Sequence, residues 1–361
     1  MKKILVIGVI ALFIGVFIIP SSGIKVNSKI INQSGRSDNL FVGGNGSGNY
    51  TKIQDAIDNA SDGDTVYVFN GTYNESINIT VKSIKLFGED KNITIINGIE
   101  KYPVIMIDID NVHICGFTIQ HSGGKGFGIF SYSNNNNFYN NIIINNYAGI
   151  LLTTRYNISY KESCDNKIYN NIIKQNDDGI KIDVDSDVPL INLPKKGRAN
   201  NVYNNIISNN NDIGIDVSGW YNTIFGNHIS YNGEDSFNVG GIALGGLLCI
   251  NNKIIYNNIS NNKANGIIIV QGINTLVKNN NFINNDVNAY FIYLFMRVPN
   301  QWKSNYWDEW GGLGPKIIDG DLVIFDPDEE YGIGSKPIRN FDWRPAKYPY
   351  DIINFQDCGI E

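Results

Sequence analysis

The sequence predicts an all-β solenoid: a chain wound into stacked rungs of short strands, with a short helix at the amino end and an irregular aromatic cap at the carboxyl end. Three observations predict it. An eleven-residue motif recurs through the middle of the chain, most copies run on into a Gly-Ile dipeptide and an alternating apolar run, and Asn and Ile supply 55 and 60 of the 361 residues. Asn suits turns and Ile a pleated stack, so the two excesses together point to many short strands joined by many corners. The 29 Lys and Arg against 35 Asp and Glu give a net charge of -6, which excludes a basic nucleic-acid footprint. With 42% hydrophobic and 18% charged residues the chain is too apolar for disorder.

In chain order, Lys2 and Lys3 precede an apolar run from Ile4 to Ile19, followed by Pro20-Ser21-Ser22-Gly23. This reads as a signal peptide over 1–23, with an uncleaved anchor as the rival, and makes the protein secreted or displayed at the cell surface with no further membrane segment. A linker is expected over 24–39, an amino-terminal cap and first rungs over 40–125, and repeats over 126–301. The repeat N-x-φ-x-x-N-x-I-x-x-N is carried by 136–146, 166–176, 200–210, 222–232 and 252–262, and a sixth copy at 275–285 keeps all its Asn but the first, with Phe282 in place of the Ile. Its shared Asn are Asn141, Asn171, Asn205, Asn227, Asn257 and Asn280, and again five positions later Asn146, Asn176, Asn210, Asn232, Asn262 and Asn285.

Period-two alternation after Gly149-Ile150, Gly179-Ile180, Gly214-Ile215, Gly241-Ile242 and Gly266-Ile267 argues strand rather than helix. Ile is expected to fill the inside. The shared Asn are expected to turn the corners in the left-handed conformation and to stack as side-chain ladders. Polar insertions at 156–165 and 186–199 vary the rung length on one side, the pattern of a solenoid with loops along one edge.

Four cysteines, Cys115, Cys164, Cys249 and Cys358, are spaced too widely for a zinc or redox motif. An exported chain permits bridges among them, and buried free thiols remain the alternative. From residue 302 onward the composition changes. Trp302, Trp307, Trp310 and Trp343 are four of the five tryptophans, so 302–361 is expected to be a cap rather than rungs, with Asn340–Tyr350 packing back on the solenoid or offering a carbohydrate platform.

On these residues the chain resembles the single-stranded right-handed parallel β-helix proteins of NosD-like type, whose repeats are shared by carbohydrate-binding proteins and sugar hydrolases. The amino-terminal residues Tyr50-Thr51-x-Ile53-Gln54-x-Ala56-Ile57, Asp62-Gly63-Asp64-Thr65-Val66-Tyr67-Val68 and Gly71-Thr72-Tyr73-x-Glu75 resemble the opening of pectin-lyase-like helices, which implies a capping helix at about 51–60. The pectin methylesterase motifs Q-D-T and D-F-x-F-G are absent. Asn176-Asp177-Asp178-Gly179 resembles the paired Asp of polygalacturonases without their G-H-G and R-I-K companions, so turn chemistry is the simpler reading of that triplet.

NosD-like proteins imply periplasmic copper handling as an alternative role. Copper favours Met, Cys and His, and the chain holds three Met and three scattered His, namely His113, His121 and His228. That supply argues for shared architecture rather than a copper site, and no cofactor is expected. Asn305-Tyr306-Trp307-Asp308 and the acidic loop 326–337 resemble the family's ending, although Tyr331 and Ser335 stand where the pattern has acids. Asp326, Asp328 and Glu330 are the calcium candidates there, against a solvated acidic loop.

Residues in register stack on neighbouring rungs, so aligning the outward positions locates a candidate site. Counting from each Gly-Ile, one column reads Phe130, Leu151, Lys181, Asp216 and Ala243, and the next Tyr132, Thr153, Asp183, Ser218 and Gly245. A third holds Asn134, Arg155, Asp185, Trp220 and Leu247. Two functional readings follow for this face. As a binding face for a polysaccharide or cell-surface glycan, Tyr132 and Trp220 stack on sugar rings while Arg155, Lys181, Asp183 and Asp216 hydrogen-bond to hydroxyls. As a lyase or glycoside hydrolase site, the catalytic groups are drawn from Asp183, Asp185, Asp216, Lys181 and Arg155. An ordinary polar face with cross-rung pairs such as Lys181–Asp216 is the third possibility.

Overall fold

The computed structural model describes residues 39–99, 103–154, 163–183, 199–234, 239–245, 249–294, 300–325 and 333–352. The proposed signal segment, most of the linker and of both insertions, the calcium-candidate loop and Cys358 lie outside the described residues. Within them the chain is a parallel β-helix. Each full rung contributes one short strand to each of three parallel stacks, as in the rung Ala148–Thr153, Lys167–Tyr169 and Ile172–Lys174. We call the stacks containing these three strands the first, second and third sheets. The third has ten strands, and the other two are joined into one sheet of 22 by a terminal hairpin.

The amino end is closed by the one helix among the described residues, Ile53–Asn59, which buries Ile53, Ala56 and Ile57 on the first rung. Lys52, at the cap position, makes no side-chain cap. Instead the Glu75 carboxylate accepts the main-chain N–H groups of Ile53 and Gln54 at 2.9 and 3.0 Å, reaching across from the next strand pair. This gives the Gly71-Thr72-Tyr73-x-Glu75 motif a physical role.

Inside, the apolar columns follow the repeat. Ile143, Ile173, Ile207 and Ile229 stack with Ile259 and Phe282, all at 0% exposure. The glycine that opens each first-sheet strand has a steric cause. A Cβ on Gly149 would lie 2.6 Å from the Gly179 carbonyl oxygen and 2.9 Å from Ile173 Cγ2, so successive rungs approach too closely there for any side chain.

The shared Asn do not turn the corners. The left-handed residue is the one before each of them: Asn140, Asn170, Asn204, Gly226, Tyr256, Asn279 and Ser304, with φ between 53° and 66°. Asn141, Asn171, Asn205, Asn227, Asn257 and Asn280 are themselves 0% exposed and point inward. Each gives both its main-chain N–H and its side-chain Nδ2–H to the Oδ1 of the next Asn, at 2.8–3.2 Å. Each Nδ2 also donates to a carbonyl on the preceding rung, as Asn205 does to Ile168 at 2.9 Å. A second ladder runs through Asn146, Asn176, Asn210, Asn232, Asn262 and Asn285, and a third through Asn136, Asn166, Asn200, Asn222 and Asn252. The expected ladders therefore exist, while the corner role belongs to their neighbours.

The solenoid also continues further than the composition suggested. Gln301–Lys303 and Tyr306–Trp307 pair in parallel with Leu276–Lys278 and Asn281–Ile283, so residues expected to open the cap form a last rung in which Trp302 and Trp307 replace Val277 and Phe282. Asn305 extends the central ladder by one step, accepting from Asn280 at 3.0 Å. The cap proper is an antiparallel hairpin, Lys316–Phe325 with Ile333–Asp342, whose first strand adds to the first sheet. Its last residue, Asp342, is fully buried and ends the ladder. Its carboxylate accepts from Asn305 N (2.8 Å), Asn305 Nδ2 (3.1 Å), Ser304 N (2.9 Å), Trp307 Nε1 (3.3 Å) and Arg344 N (3.3 Å). After the hairpin the chain packs back on the solenoid, where Tyr350 exchanges two hydrogen bonds with Asn281.

Candidate functional site

The outward face of the first sheet carries the columns read from the sequence. Leu151, Lys181, Asp216 and Ala243 are successive register partners, as are Thr153, Asp183 and Ser218. Phe130 precedes Leu151 in register, and Tyr132 follows the strand end with its ring edge-on to Phe130 at 4.5 Å.

Lys181 is the centre of charge on this face. Its Nζ lies 3.0 Å from Asp216 on the next rung and 3.0 Å from Asp178, three residues back on its own strand. The Asp178 side chain is only 6% exposed, and its other oxygen accepts the Ile213 N–H at 3.3 Å. Burial alone would lower the Lys181 pKa, but Asp216 and Asp178 outweigh it and hold the value above the ordinary lysine range. The amine is therefore an ammonium across neutral and mildly alkaline pH. Such a group donates hydrogen bonds and does not abstract protons.

The structure brings Lys181, Asp183, Asp216 and Tyr132 onto one face and removes Trp220 from it. Trp220 is 8% exposed. The strand ends at Ser218, so the period-two count does not carry to position 220, and Trp220 stands at the bend before the left-handed Tyr221, φ 61°. Arg155 and Asp185 lie outside the described residues, as do Asp326, Asp328 and Glu330. Asp178 was missed as a participant. The Asp177-Asp178-Gly179 triplet was its only signal, and that reading as turn chemistry did not anticipate a buried carboxylate holding the lysine. Among the described residues no three His, Cys, Asp or Glu side chains gather as a metal-holding group, and Cys115 and Cys249 are free thiols.

A cleft of about 440 Å³ lies toward the cap end of the molecule, lined by Tyr290, Asp319, Asp321 and Arg339. Tyr290 occupies the same outward column as Lys181 and donates to Asp321 at 2.6 Å. Burial, then the hydrogen bond to Asp321, pushes its pKa up to about 12.

This architecture is the right-handed parallel β-helix of the pectin-lyase-like kind. A pectate lyase superposes with a TM-score of 0.51 at 16% identity, over 77% of this chain and 81% of that one. An alginate lyase from Paenibacillus and the A-module of a mannuronan C-5 epimerase from Azotobacter vinelandii align at TM-scores of 0.46 and 0.49, with 15% and 16% identity. They cover 73% and 78% of this chain and 95% and 79% of theirs. At the level of sequence, a probable pectinesterase/pectinesterase inhibitor of Arabidopsis thaliana is 39% identical over 72 residues, a stretch that spans 19% of this chain and 14% of that protein. No family model matches the chain. The fold is thus one shared with carbohydrate-active enzymes, and among the described residues no helix is long and apolar enough to cross a membrane.

Proposed function

We propose that this is an exported parallel β-helix protein that binds a polysaccharide along the outward face of the first sheet and does not cleave it. The observation that carries this reading is the state of Lys181. A lyase that used Lys181 as its base would need the amine deprotonated, and Lys181 is held as an ammonium by Asp178 and Asp216. What remains is a strip of hydrogen-bonding groups, Thr153, Asp183 and Ser218, in register at the rung spacing, beside Tyr132. Fixed donors and acceptors repeating about every 4.8 Å suit an extended glycan chain. The likeness of the repeats and of Asn305-Tyr306-Trp307-Asp308 to NosD-like proteins supports a common architecture.

The test is a panel of soluble acidic and neutral polysaccharides, read for binding, for new reducing ends and for unsaturated uronate. Binding without either product, reduced in Asp183→Ala, is the expected result. Turnover that is lost in Asp183→Ala would replace the binding reading with the lyase or hydrolase one.

A further inference from the structure

The outward face of the second sheet is chemically unlike the rest of the molecule. Its two columns run in unbroken register from Thr65 and Tyr67 to Gln301 and Lys303. Neither contains a carboxylate, in a chain whose net charge is -6. They carry Lys85, Lys167, Lys253, Lys278 and Lys303, all exposed. Three of the five, Lys253, Lys278 and Lys303, fall on the last three rungs, so the cap end is the more positive half.

That half leads into a cleft. Asp342 pairs in register with Trp302, which sets Trp343 one rung beyond Lys303. Lys278, Lys303, Trp343 and Arg344 line a cleft of about 390 Å³ there. Trp343 is 70% exposed, whereas its neighbours Trp302 and Trp307 are buried. The carboxylate at the cleft floor, Asp342, is saturated by five N–H donors and faces inward.

The geometry points to this cleft, and the lysine track leading into it, as a second binding site, one for an acidic polysaccharide of uronate type. A uronate ring has an apolar face that covers an indole and a carboxylate that pairs with Lys or Arg, the two chemistries placed side by side here. Rungs repeat about every 4.8 Å, close to one sugar unit of an extended chain, so Lys278 and Lys303, in one column on successive rungs, face successive units, with Lys253 one rung earlier in the adjacent column.

A single-stranded nucleic acid fits less well. It would need free aromatic faces along the track, and there Tyr139, Tyr169, Tyr203 and Phe225 stack on one another at 4.8–4.9 Å with planes within 7°. Their faces are filled by each other. This site is separate from the Lys181 face and does not rest on the reading given to it.

Affinity electrophoresis of the folded protein through gels holding polygalacturonate, alginate, a neutral glucan or single-stranded DNA tests the proposal. Retardation by the two uronates, weakening with salt and absent with glucan, is expected. The double variant Lys278→Ala/Lys303→Ala and the single variant Trp343→Ala should each weaken it about tenfold or more, the loss of two charge-assisted bonds or of one stacked ring. Lys278→Glu should abolish it. All are exposed positions, and an unchanged circular dichroism melt verifies folding. Asp183→Ala, on the other face, separates the two sites: uronate binding lost there but retained in the lysine variants overturns the proposal. So does tighter binding of DNA than of uronate, equal retardation by glucan, or no retardation by uronate.

Discussion

Replacing Asp342 by Asn tests whether the central ladder needs a carboxylate at its end. Every Asn in the ladder gives two donors toward the carboxyl end and accepts with Oδ1 from the preceding rung, so the last Asn requires a residue that only accepts. Asp342 meets that need with five hydrogen bonds. An amide at 342 fails in either orientation. With its NH2 in place of Oδ2 it faces Asn305 N, Asn305 Nδ2 and Trp307 Nε1, and with its NH2 in place of Oδ1 it faces Ser304 N and Arg344 N.

The cheaper orientation loses two charge-assisted bonds at about 1.5–3 kcal/mol each, or about 3–6 kcal/mol. Relief from burying a charge offsets part of this, leaving a net loss of about 3 kcal/mol. Urea unfolding followed by tryptophan fluorescence reads this end of the molecule, because Trp302, Trp307, Trp310 and Trp343 all lie there. The expected result is a fluorescence midpoint that falls in Asp342→Asn and Asp342→Ala and precedes the circular dichroism transition, since a repeat protein can fray from one end. Midpoints unchanged or raised in both variants would refute the reasoning.

Further tests follow from other positions. Asn205→Ala strands the Asn171 N–H and removes the donor to Ile168 O, so chemical denaturation should show a loss of about 3–5 kcal/mol. Gly149→Ala drives a Cβ against the Gly179 carbonyl and should lower stability by about 1–3 kcal/mol, visible as a lower melting temperature. Burial, with Tyr203 the next cause, pushes the Tyr169 pKa up to about 12, and burial raises Tyr139 and Tyr203 as well. Raised folded-state values mean that this stack's contribution is complete below the ordinary tyrosine pKa, near pH 10, and is lost as pH climbs toward 12. Ultraviolet titration should find these rings ionising above the ordinary tyrosine range, with stability declining over the same range.

The fold was legible because the repeat is written in two residue types with separate duties. The Gly-Ile pairs set the phase of the first sheet, and the Lys181–Asp216 contact follows from that phase alone. The duty of Asn was assigned one position too late. In Asn140-Asn141 or Asn170-Asn171 either residue satisfies a rule that gives Asn to corners. The distinction lies in the copies reading Gly226-Asn227, Tyr256-Asn257 and Ser304-Asn305, where the left-handed site changes identity and the buried one does not. The αL site accepts Asn, Tyr, Ser or Gly, whereas the ladder site needs a short side chain that both donates and accepts, which Asn supplies.

Trp220 was misplaced because alternation was carried past the end of a strand. The last rung was missed because its Trp302 and Trp307 stand where earlier rungs have smaller apolar residues. The lysine face of the second sheet was open to the same register logic, since Lys85, Lys167 and Lys253 share one phase. It went unread because the apparent chemistry of the first sheet drew the columns there.

The one-way direction of the ladders bears on how such a chain can change length. A middle rung offers donors on one side and acceptors on the other, so a duplicated copy of it fits between its parents and leaves every amide matched. The unit that carries Asp342 lacks that freedom, because a second carboxylate inside the stack would meet the Oδ1 of the Asn beyond it with no side-chain proton to offer. Tandem duplication can therefore lengthen the barrel anywhere in its middle and nowhere at its sealed end. Each added coil would extend the lysine track by one sugar's length without disturbing the cleft into which it runs.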